Sequence, residues 1–245
     1  MLEDLNNYCE CMIPIDESNS INIKLFPTYA PPPPVKAWHV PVSTVELTAH
    51  MDVNWDLTIQ RIVPHIDGIN SVRRISELAD ADFKLTKKAI SHLLYYGCLI
   101  MVDVFQFSAI YACTAEISSL ITDLAMQEEC ANYIADAEAQ KVKPAEVAQL
   151  YCSLSQGVTL KKWCMENAAK LKGVDIRRFI AFGVVKGFVY RVHKWPVAVG
   201  GGPRGGMERW VQGGCCLDEI CTELQRSEKE VVAMLETADV QILHR

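Results

Sequence analysis

The stretch at residues 55–113 constrains the fold most, because its apolar residues change their period part-way along. Over residues 56–97, apolar residues recur at the three- and four-residue spacing of amphipathic helices, in three segments separated by turn residues. The pattern then changes to strand chemistry at 99–104 and 107–113, with a polar break between the two runs. Three helices followed by a hairpin is the order of a winged-helix unit, and we predict one over residues 51–116.

The second half of the chain repeats this theme less cleanly. Helical patterns lead to a strand-like run and then to the glycine tract 200–206, which we expect to be a flexible loop because nothing in it can pack. Beyond the tract, residues 217–224 and 227–235 predict a helix-turn-helix pair, closed by a strand at 240–243. We therefore predict a second winged-helix-like unit over residues 117–245.

Two shorter segments precede these units. Residues 1–26 resemble the end of a helix followed by a small β segment, in which the alternation at Ile21 and Ile23 is typical of a strand. Residues 27–50 contain Pro31–Pro34, which predicts an extended, semi-rigid linker; a ligand for an SH3-like or WW-like domain is the less favoured alternative. The predicted fold class is α+β and mainly helical, with two winged-helix-like units preceded by a short strand segment and a proline-rich linker.

Charge and composition argue against several classes of protein. The formal net charge of −6 and the isoelectric point near 5.5 disfavour nucleic acid as the main partner, because phosphate binding requires a basic surface. Met1–Asp4 is acidic where a secretory signal would be basic, so we expect an intracellular protein whose cysteines are reduced thiols. The longest apolar run, Leu93–Val102, is about half a membrane span, and we expect no insertion into a membrane.

No motif predicts catalysis, a cofactor or a metal. The glycine tract lacks the Gly-Lys-Ser/Thr ending of a phosphate-binding loop. The cysteine groups Cys9–Cys11 and Cys215–Cys221 lack the paired Cys-x2-Cys spacing of ordinary zinc sites, so buried or surface thiols are favoured over zinc. The histidines are isolated in sequence, and no serine or cysteine lies in a nucleophile motif.

Binding to DNA is the main alternative function that the residues themselves suggest. From Ser71 to Gly97, five basic residues face three acidic ones, a local charge of +2. This is a weak electrostatic footprint for a DNA reader, and winged helices also serve as protein-interaction modules. A solvated helix face is therefore the favoured interpretation over DNA contact.

Seven short segments make the sequence recognisable, and they follow one another in order over essentially the whole chain. The segments are CMIPIDESN at 11–19, WDLT at 55–58, IDG at 66–68, LLYYG at 93–97, LYCSLS at 150–155, FIAFG at 179–183 and DEIC at 218–221. Together they are similar to the nitrogen permease regulator 2-like family.

The resemblance implies a subunit of the complex called GATOR in animals and SEACIT in yeast. That complex promotes GTP hydrolysis by Rag-type GTPases and thereby restrains TOR complex 1 when amino acids are scarce. The implied partners are a regulator 3-like subunit and a DEP-domain subunit, with Rag GTPases engaged indirectly. The implied location is cytoplasmic and peripheral, at the vacuolar or lysosomal membrane.

Two features depart from the family pattern. Family members begin with a longin-type domain that supplies an arginine finger, and we expect this chain to begin where the last helix of that domain ends. No arginine here occupies the finger position, so we assign no catalytic residue and predict a non-catalytic scaffold. The second departure is the glycine tract, which stands where a more polar connection is expected.

Aromatic side chains are the candidates for contacts with the partner. Tyr95, Tyr96, Tyr151 and Trp195 are each more typical of core or helix-packing residues than of ligand platforms. Because aromatic residues often dominate interfaces, we predict these four and Trp55 as anchors for the regulator 3-like subunit.

Overall fold

The structure, a computed structural model, describes residues 1–26, 28–135, 143–199, 208–236 and 240–245. It divides into two units, Met1–Pro33 and Pro34–Arg245. Helices are combined with small antiparallel sheets, so the predicted α+β class is confirmed. Among the described residues, no helix is long and apolar enough to cross a bilayer.

The unit Met1–Pro33 consists of helix α1 (Leu2–Tyr8) and a hairpin of strands β1 (Glu10–Pro14) and β2 (Ser20–Lys24). The two strands pair antiparallel over their full length, which confirms the strand predicted from alternation. Of the described residues in this unit, Cys11 is the one that is buried. The hairpin therefore has almost no hydrophobic core of its own.

The described part of the unit Pro34–Arg245 contains eleven α-helices, two short 3₁₀ helices and six strands. Its helices are α2 (Leu47–His50), α3 (Leu57–Ile62), α4 (Val72–Leu78), α5 (Phe83–Tyr95), α6 (Ile117–Thr122), α7 (Leu124–Ile134), α8 (Pro144–Cys152), α9 (Leu160–Glu166), α10 (Ile176–Val185), α11 (Leu217–Leu224) and α12 (Glu228–Glu236). Its strands are β3 (Val40–Ser43), β4 (Leu99–Val102), β5 (Ile110–Cys113), β6 (Val189–Val192), β7 (Lys194–Ala198) and β8 (Val240–His244).

The three helices predicted between residues 55 and 97 are present as α3, α4 and α5. Each begins at a side chain that accepts hydrogen bonds from the free N–H groups of its first turn: Asp56, Ser71 and Asp82. The chain turns into a short 3₁₀ helix after α3, because Pro64 has no N–H for the helical ladder. The apolar faces of the three helices share one hydrophobic core.

The hairpin predicted from residues 99–104 and 107–113 does not form. Instead β4 pairs with β3, and β5 pairs with β6, both antiparallel. The connection does contain a turn, in which the backbone N–H of Ala109 donates a 3.2 Å hydrogen bond to the carbonyl oxygen of Gln106. However, the carbonyl oxygens of Phe107 and Ala109 accept backbone hydrogen bonds of 2.8 Å from the start of α9 and not from β4. The three helices of the first predicted unit are thus present, but β4 pairs with β3, which lies outside the predicted bounds of 51–116.

The segment 27–50, predicted as an extended linker, is folded over its second half. Strand β3 and helix α2 form within it, and the side chain of Trp38 is buried. The backbone N–H of Val72 donates a 2.9 Å hydrogen bond to the carbonyl oxygen of His39. The spacer prediction gave too much weight to Pro31–Pro34 and too little to the apolar residues that follow it.

Helices α6 to α10 and strands β5 and β6 surround a second hydrophobic core. The pairing of β5 with β6 crosses the boundary predicted between residues 116 and 117. The helix-turn-helix pair and closing strand predicted near the end of the chain are confirmed as α11, α12 and β8, and β8 pairs with β7. The glycine tract 200–206, predicted as a flexible loop, lies outside the described residues.

Candidate functional site

Three of the five predicted anchors lie around helices α3 to α5. Trp55 is half-buried before α3 and packs on the core of these helices, while Gln60 Nε2 donates a 2.8 Å hydrogen bond to its carbonyl oxygen. Tyr95 and Tyr96 lie at the end of α5 with their rings edge to face, 5.1 Å apart between centroids. Tyr96 is 50% exposed and Tyr95 is half-buried, so Tyr96 offers the larger surface to a partner.

The fourth predicted anchor, Tyr151, is a core residue. Its side chain is fully buried, and its ring stacks on that of Phe179 with centroids 3.9 Å apart and planes 11° from parallel. Its hydroxyl donates a 2.6 Å hydrogen bond to the carbonyl oxygen of Phe179. Burial raises the pKa of Tyr151 well above its usual value, so the hydroxyl stays a neutral donor. A partner could reach this ring only by opening the core, which removes Tyr151 from the candidate contact surface.

The fifth predicted anchor, Trp195, is half-buried on strand β7. It packs on a small cluster that includes Trp38 and Cys216. Trp55, Tyr151 and Trp195 thus contact three different hydrophobic clusters. These three predicted anchors are therefore fixed in different parts of the hydrophobic interior.

A cluster of charged side chains lies where β6 and β7 meet the start of α11, and we call Asp103, Arg191, His193 and Asp218 the ionic cluster. Arg191 is 9% exposed; it donates from Nη1 to the carbonyl oxygen of Val104 at 2.7 Å and from Nη2 to Asp218 Oδ1 at 2.9 Å. His193 lies between the two carboxylates, with Nε2 3.5 Å from Asp103 Oδ2 and Nδ1 3.5 Å from Asp218 Oδ2. Two acidic and two basic side chains therefore share one partly buried site.

Opposite charges in the ionic cluster stabilise the ionised forms of its side chains. The nearby side chains of Asp103, and then of Asp218 and Cys216, raise the pKa of His193 to about 11. Burial opposes ionisation of Asp103, but hydrogen bonding to His193 and the nearby positive charges lower its pKa below the usual value. Desolvation lowers the pKa of the adjacent His39, so that imidazole is neutral at pH 7. Removal of one charged member would leave its partner buried without a counter-charge.

A second bridge holds helix α12 at the same place. Lys194 Nζ pairs with one carboxylate oxygen of Glu228, and the hydroxyl of Ser108 donates a 2.9 Å hydrogen bond to the other. Lys194 is the first residue of β7, and Ser108 lies in the connection between β4 and β5. Together with the ionic cluster, this bridge holds the C-terminal helices α11 and α12 against the preceding part of the unit, which we call its body and which includes β6 and β7.

Sequence reasoning missed the ionic cluster, because its members are spread from Asp103 to Asp218. Two local signals were available: Arg191 interrupts the apolar strand β6, and Asp103 ends the apolar run of β4. A charged residue in such a setting is buried only when it is paired. Pairing partners so distant in the chain cannot be read from spacing.

The basic helix face considered for DNA binding is partly neutralised by its neighbours. Arg73 and Arg74 both contact the carboxylate of Glu77 at 3.4 Å. The guanidinium of Arg73 and the ammonium of Lys87 lie 5.3 and 5.4 Å from the ring centroid of Phe83. These contacts weaken the attraction for phosphate that the local charge of +2 suggested.

Comparison with known proteins decides the family. Residues 1–145 and 135–239 match the family profile described as "Nitrogen permease regulator 2". The chain is 46% identical over 244 residues to the "Nitrogen permease regulator 2 homolog" of Schizosaccharomyces pombe, an alignment covering 96% of this chain and 60% of that protein. The chain belongs to the nitrogen permease regulator 2 family.

Two further members of the nitrogen permease regulator 2 family are similar over most of the chain. The identity with "Nitrogen permease regulator 2" of Saccharomyces cerevisiae is 33% over 294 residues, covering 83% of this chain and 48% of that protein. The identity with "GATOR complex protein NPRL2" of Drosophila melanogaster is 34% over 223 residues, covering 90% of this chain and 53% of that protein. The chain thus spans between about half and three fifths of the length of these relatives.

Segments that carry the resemblance to the nitrogen permease regulator 2 family meet in the structure. Tyr151 from segment 150–155 stacks on Phe179 from segment 179–183. Gly183 permits this contact, because a Cβ there would lie 2.7 Å from Cε1 of Tyr151. These family segments therefore have an identifiable structural role in the core of the protein.

Proposed function

We propose that the chain is the non-catalytic scaffold portion of a GATOR- or SEACIT-type subunit that assembles with a regulator 3-like subunit and a DEP-domain subunit. Through that complex, which promotes GTP hydrolysis by Rag GTPases, the protein restrains TOR complex 1 when amino acids are scarce. The complex acts at the vacuolar or lysosomal membrane. The observation that carries the proposal is the match along most of the chain to relatives, one of which is named as a GATOR complex protein.

Exposed apolar side chains in the unit Met1–Pro33 support a role in assembly. Tyr8, Met12 and Phe26 are 77%, 65% and 76% exposed. A helix and a two-stranded hairpin bury too little apolar surface to be stable by themselves. A partner surface that covers these side chains would supply the missing burial.

In the unit Pro34–Arg245, Tyr96 is the most exposed of the predicted anchors. Trp55, Tyr95 and Trp195 are half-buried and would contact a partner only with part of each ring. Truncation of an aromatic anchor at the centre of an interface costs about 2 kcal/mol or more, which is about a 30-fold loss of affinity. We expect the largest loss at Tyr96.

The test is co-expression of this chain with a regulator 3-like subunit, followed by size-exclusion chromatography. A stable one-to-one complex is expected, and Tyr96→Ala should weaken it. Tyr133→Ala is the matched control, because Tyr133 has a similar exposure of 48% and is not among the predicted anchors. A folded, monomeric chain that does not associate would refute the scaffold role. Unchanged association of the Tyr96, Trp55 and Trp195 variants would refute the anchor assignment alone.

A further inference from the structure

Three potential metal ligands converge at the edge of the ionic cluster. His193, Cys216 and Asp218 each present one ligand atom, and these atoms all lie within 4.8 Å of one another. Cys216 is 4% exposed, and the other two side chains are partly buried. An imidazole nitrogen, a thiol sulfur and a carboxylate oxygen in such proximity are the donor types that zinc prefers in proteins.

The backbone holds these ligands on two well-defined elements. Cys216 is the N-cap residue of α11, and Asp218 lies in its first turn. His193 lies between β6 and β7, and its backbone exchanges hydrogen bonds of 2.7 and 2.9 Å with Arg245. Ligands fixed on a helix start and a strand junction lose little conformational freedom when an ion binds.

Asp218 and His193 each use one polar atom for another contact and direct the second atom towards the proposed site. Asp218 Oδ1 accepts from Arg191 at 2.9 Å, which leaves Oδ2 to face His193 Nδ1 at 3.5 Å. The Nδ1 atom is buried and makes no hydrogen bond to any residue that the structure describes. On the other side of the ring, Nε2 lies 3.5 Å from a carboxylate oxygen of Asp103. A carboxylate on the far nitrogen is the usual support of a metal-bound histidine.

We propose that His193 Nδ1, Cys216 Sγ and Asp218 Oδ2 bind a divalent transition-metal ion, with zinc as the best chemical match. Bond lengths of about 2.0–2.3 Å place neighbouring ligands of tetrahedral zinc about 3.3–3.8 Å apart. The distance of 3.5 Å between Nδ1 and Oδ2 already has this value. Any ligand pair separated by as much as 4.8 Å would close by about 1 Å, which side-chain rotation can supply.

The charges of the surrounding side chains are also suitable for such an ion. The two positive charges of zinc would meet the Cys216 thiolate and the Asp218 carboxylate, while His193 would be neutral and Arg191 would balance Asp103. The ion would tie the start of α11 to the junction of β6 and β7, as a structural metal does.

The competing occupant of this site is a proton on the imidazole of His193. A protonated ring between the carboxylates of Asp103 and Asp218 would balance their negative charge without a metal ion. Metal content distinguishes the two states. The full chain, purified without a polyhistidine tag and dialysed, should contain one equivalent of zinc per chain by inductively coupled plasma mass spectrometry.

Variants of the proposed ligands test where the ion binds. Cys216→Ser and Asp218→Asn should each weaken zinc binding at least about tenfold. The asparagine variant retains an oxygen that can accept from Arg191, so a loss of metal there does not reflect a loss of that contact. Cys215→Ser is the matched control, because it removes the adjacent thiol, which is not in the ligand set. Replacement of zinc by cobalt should give a thiolate-to-cobalt charge-transfer band that is absent in Cys216→Ser.

Two results would overturn the proposal. The first is a folded wild-type chain, judged by circular dichroism, that contains only substoichiometric metal and gives no charge-transfer band with added cobalt. The second is zinc that persists at one equivalent in both Cys216→Ser and Asp218→Asn, because the ion would then be bound by other residues. Neither result depends on a partner subunit, so this test is separate from that of the scaffold role.

Discussion

Replacement of Gly183 by alanine should destabilise the protein, although alanine is the better helix former. Gly183 lies inside helix α10, where the substitution by itself would gain about 1 kcal/mol of helix stability. A Cβ at this position would meet Cε1 of Tyr151 at 2.7 Å and Cγ2 of Val189 at 2.8 Å. Both distances are shorter than van der Waals contact, so the packing of Tyr151 and Val189 decides whether the substitution stabilises or destabilises the protein.

Neither neighbour can move without a cost. The ring of Tyr151 is fixed by its stack on Phe179 and by its hydroxyl hydrogen bond of 2.6 Å, and Val189 is a buried strand residue. Overpacking of a filled core typically costs about 1–3 kcal/mol. Two contacts below 3.0 Å place the cost in the upper part of that range, at about 2–3 kcal/mol. After subtraction of the helix gain of about 1 kcal/mol, we expect a net loss of about 1–2 kcal/mol. For a chain of this size, that loss lowers the thermal midpoint by about 2–8 °C.

Thermal unfolding followed by circular dichroism measures this change. Gly157→Ala is the matched control, because no atom of the described residues lies within 4 Å of a Cβ built at that glycine. The stability of this variant should change by less than about 0.5 kcal/mol. The double variant Gly183→Ala with Val189→Ala should lose less than the sum of the single variants, because the second change removes one of the two close contacts. A Gly183→Ala protein as stable as wild type would show that the aromatic stack can shift freely and would refute this reasoning.

Three further variants test other parts of the fold by the same measurement. Asp82→Ala removes the cap that accepts two backbone hydrogen bonds at the start of α5 and should cost about 1 kcal/mol, with Asp82→Asn close to wild type. Trp38→Ala should cost about 3–5 kcal/mol because the ring is buried, whereas a solvated linker would tolerate it. Arg191→Met in chelator-treated protein should cost up to about 3 kcal/mol, because it leaves His193 as the remaining positive charge beside Asp218, and adding Asp218→Asn should recover part of that loss.

The helices could be predicted from the sequence because their signals are local. The capping residues Asp56, Ser71 and Asp82 stand directly before apolar repeats of helical period, and the structure places the helix starts at these residues. The final helix pair and β8 were also predictable, since both show short-range periodicity. Local patterns of this kind determine an element before its neighbours are known.

Strand pairing and the ionic cluster could not be predicted in the same way. β4 is apolar enough to pair with any adjacent strand, and its partner β3 was obscured by the proline run before it. Likewise, the burial of Tyr151 depends on Phe179, which lies on another helix. In each case the deciding contact joins residues far apart in sequence, and a single sequence holds no record of such contacts.

The position of the ionic cluster bears on how the proposed scaffold would respond to a partner. Arg191 and His193 lie on the body of the unit, whereas Asp218 and Glu228 belong to the C-terminal helices. Separation of these helices from the body would therefore expose apolar surface and also leave Arg191 without its carboxylate. Because partial separation breaks charged contacts without regaining full hydration, we expect the C-terminal helices to move with the body as one piece. A partner bound to either part would then be held at a fixed orientation relative to the other, as the scaffold role requires.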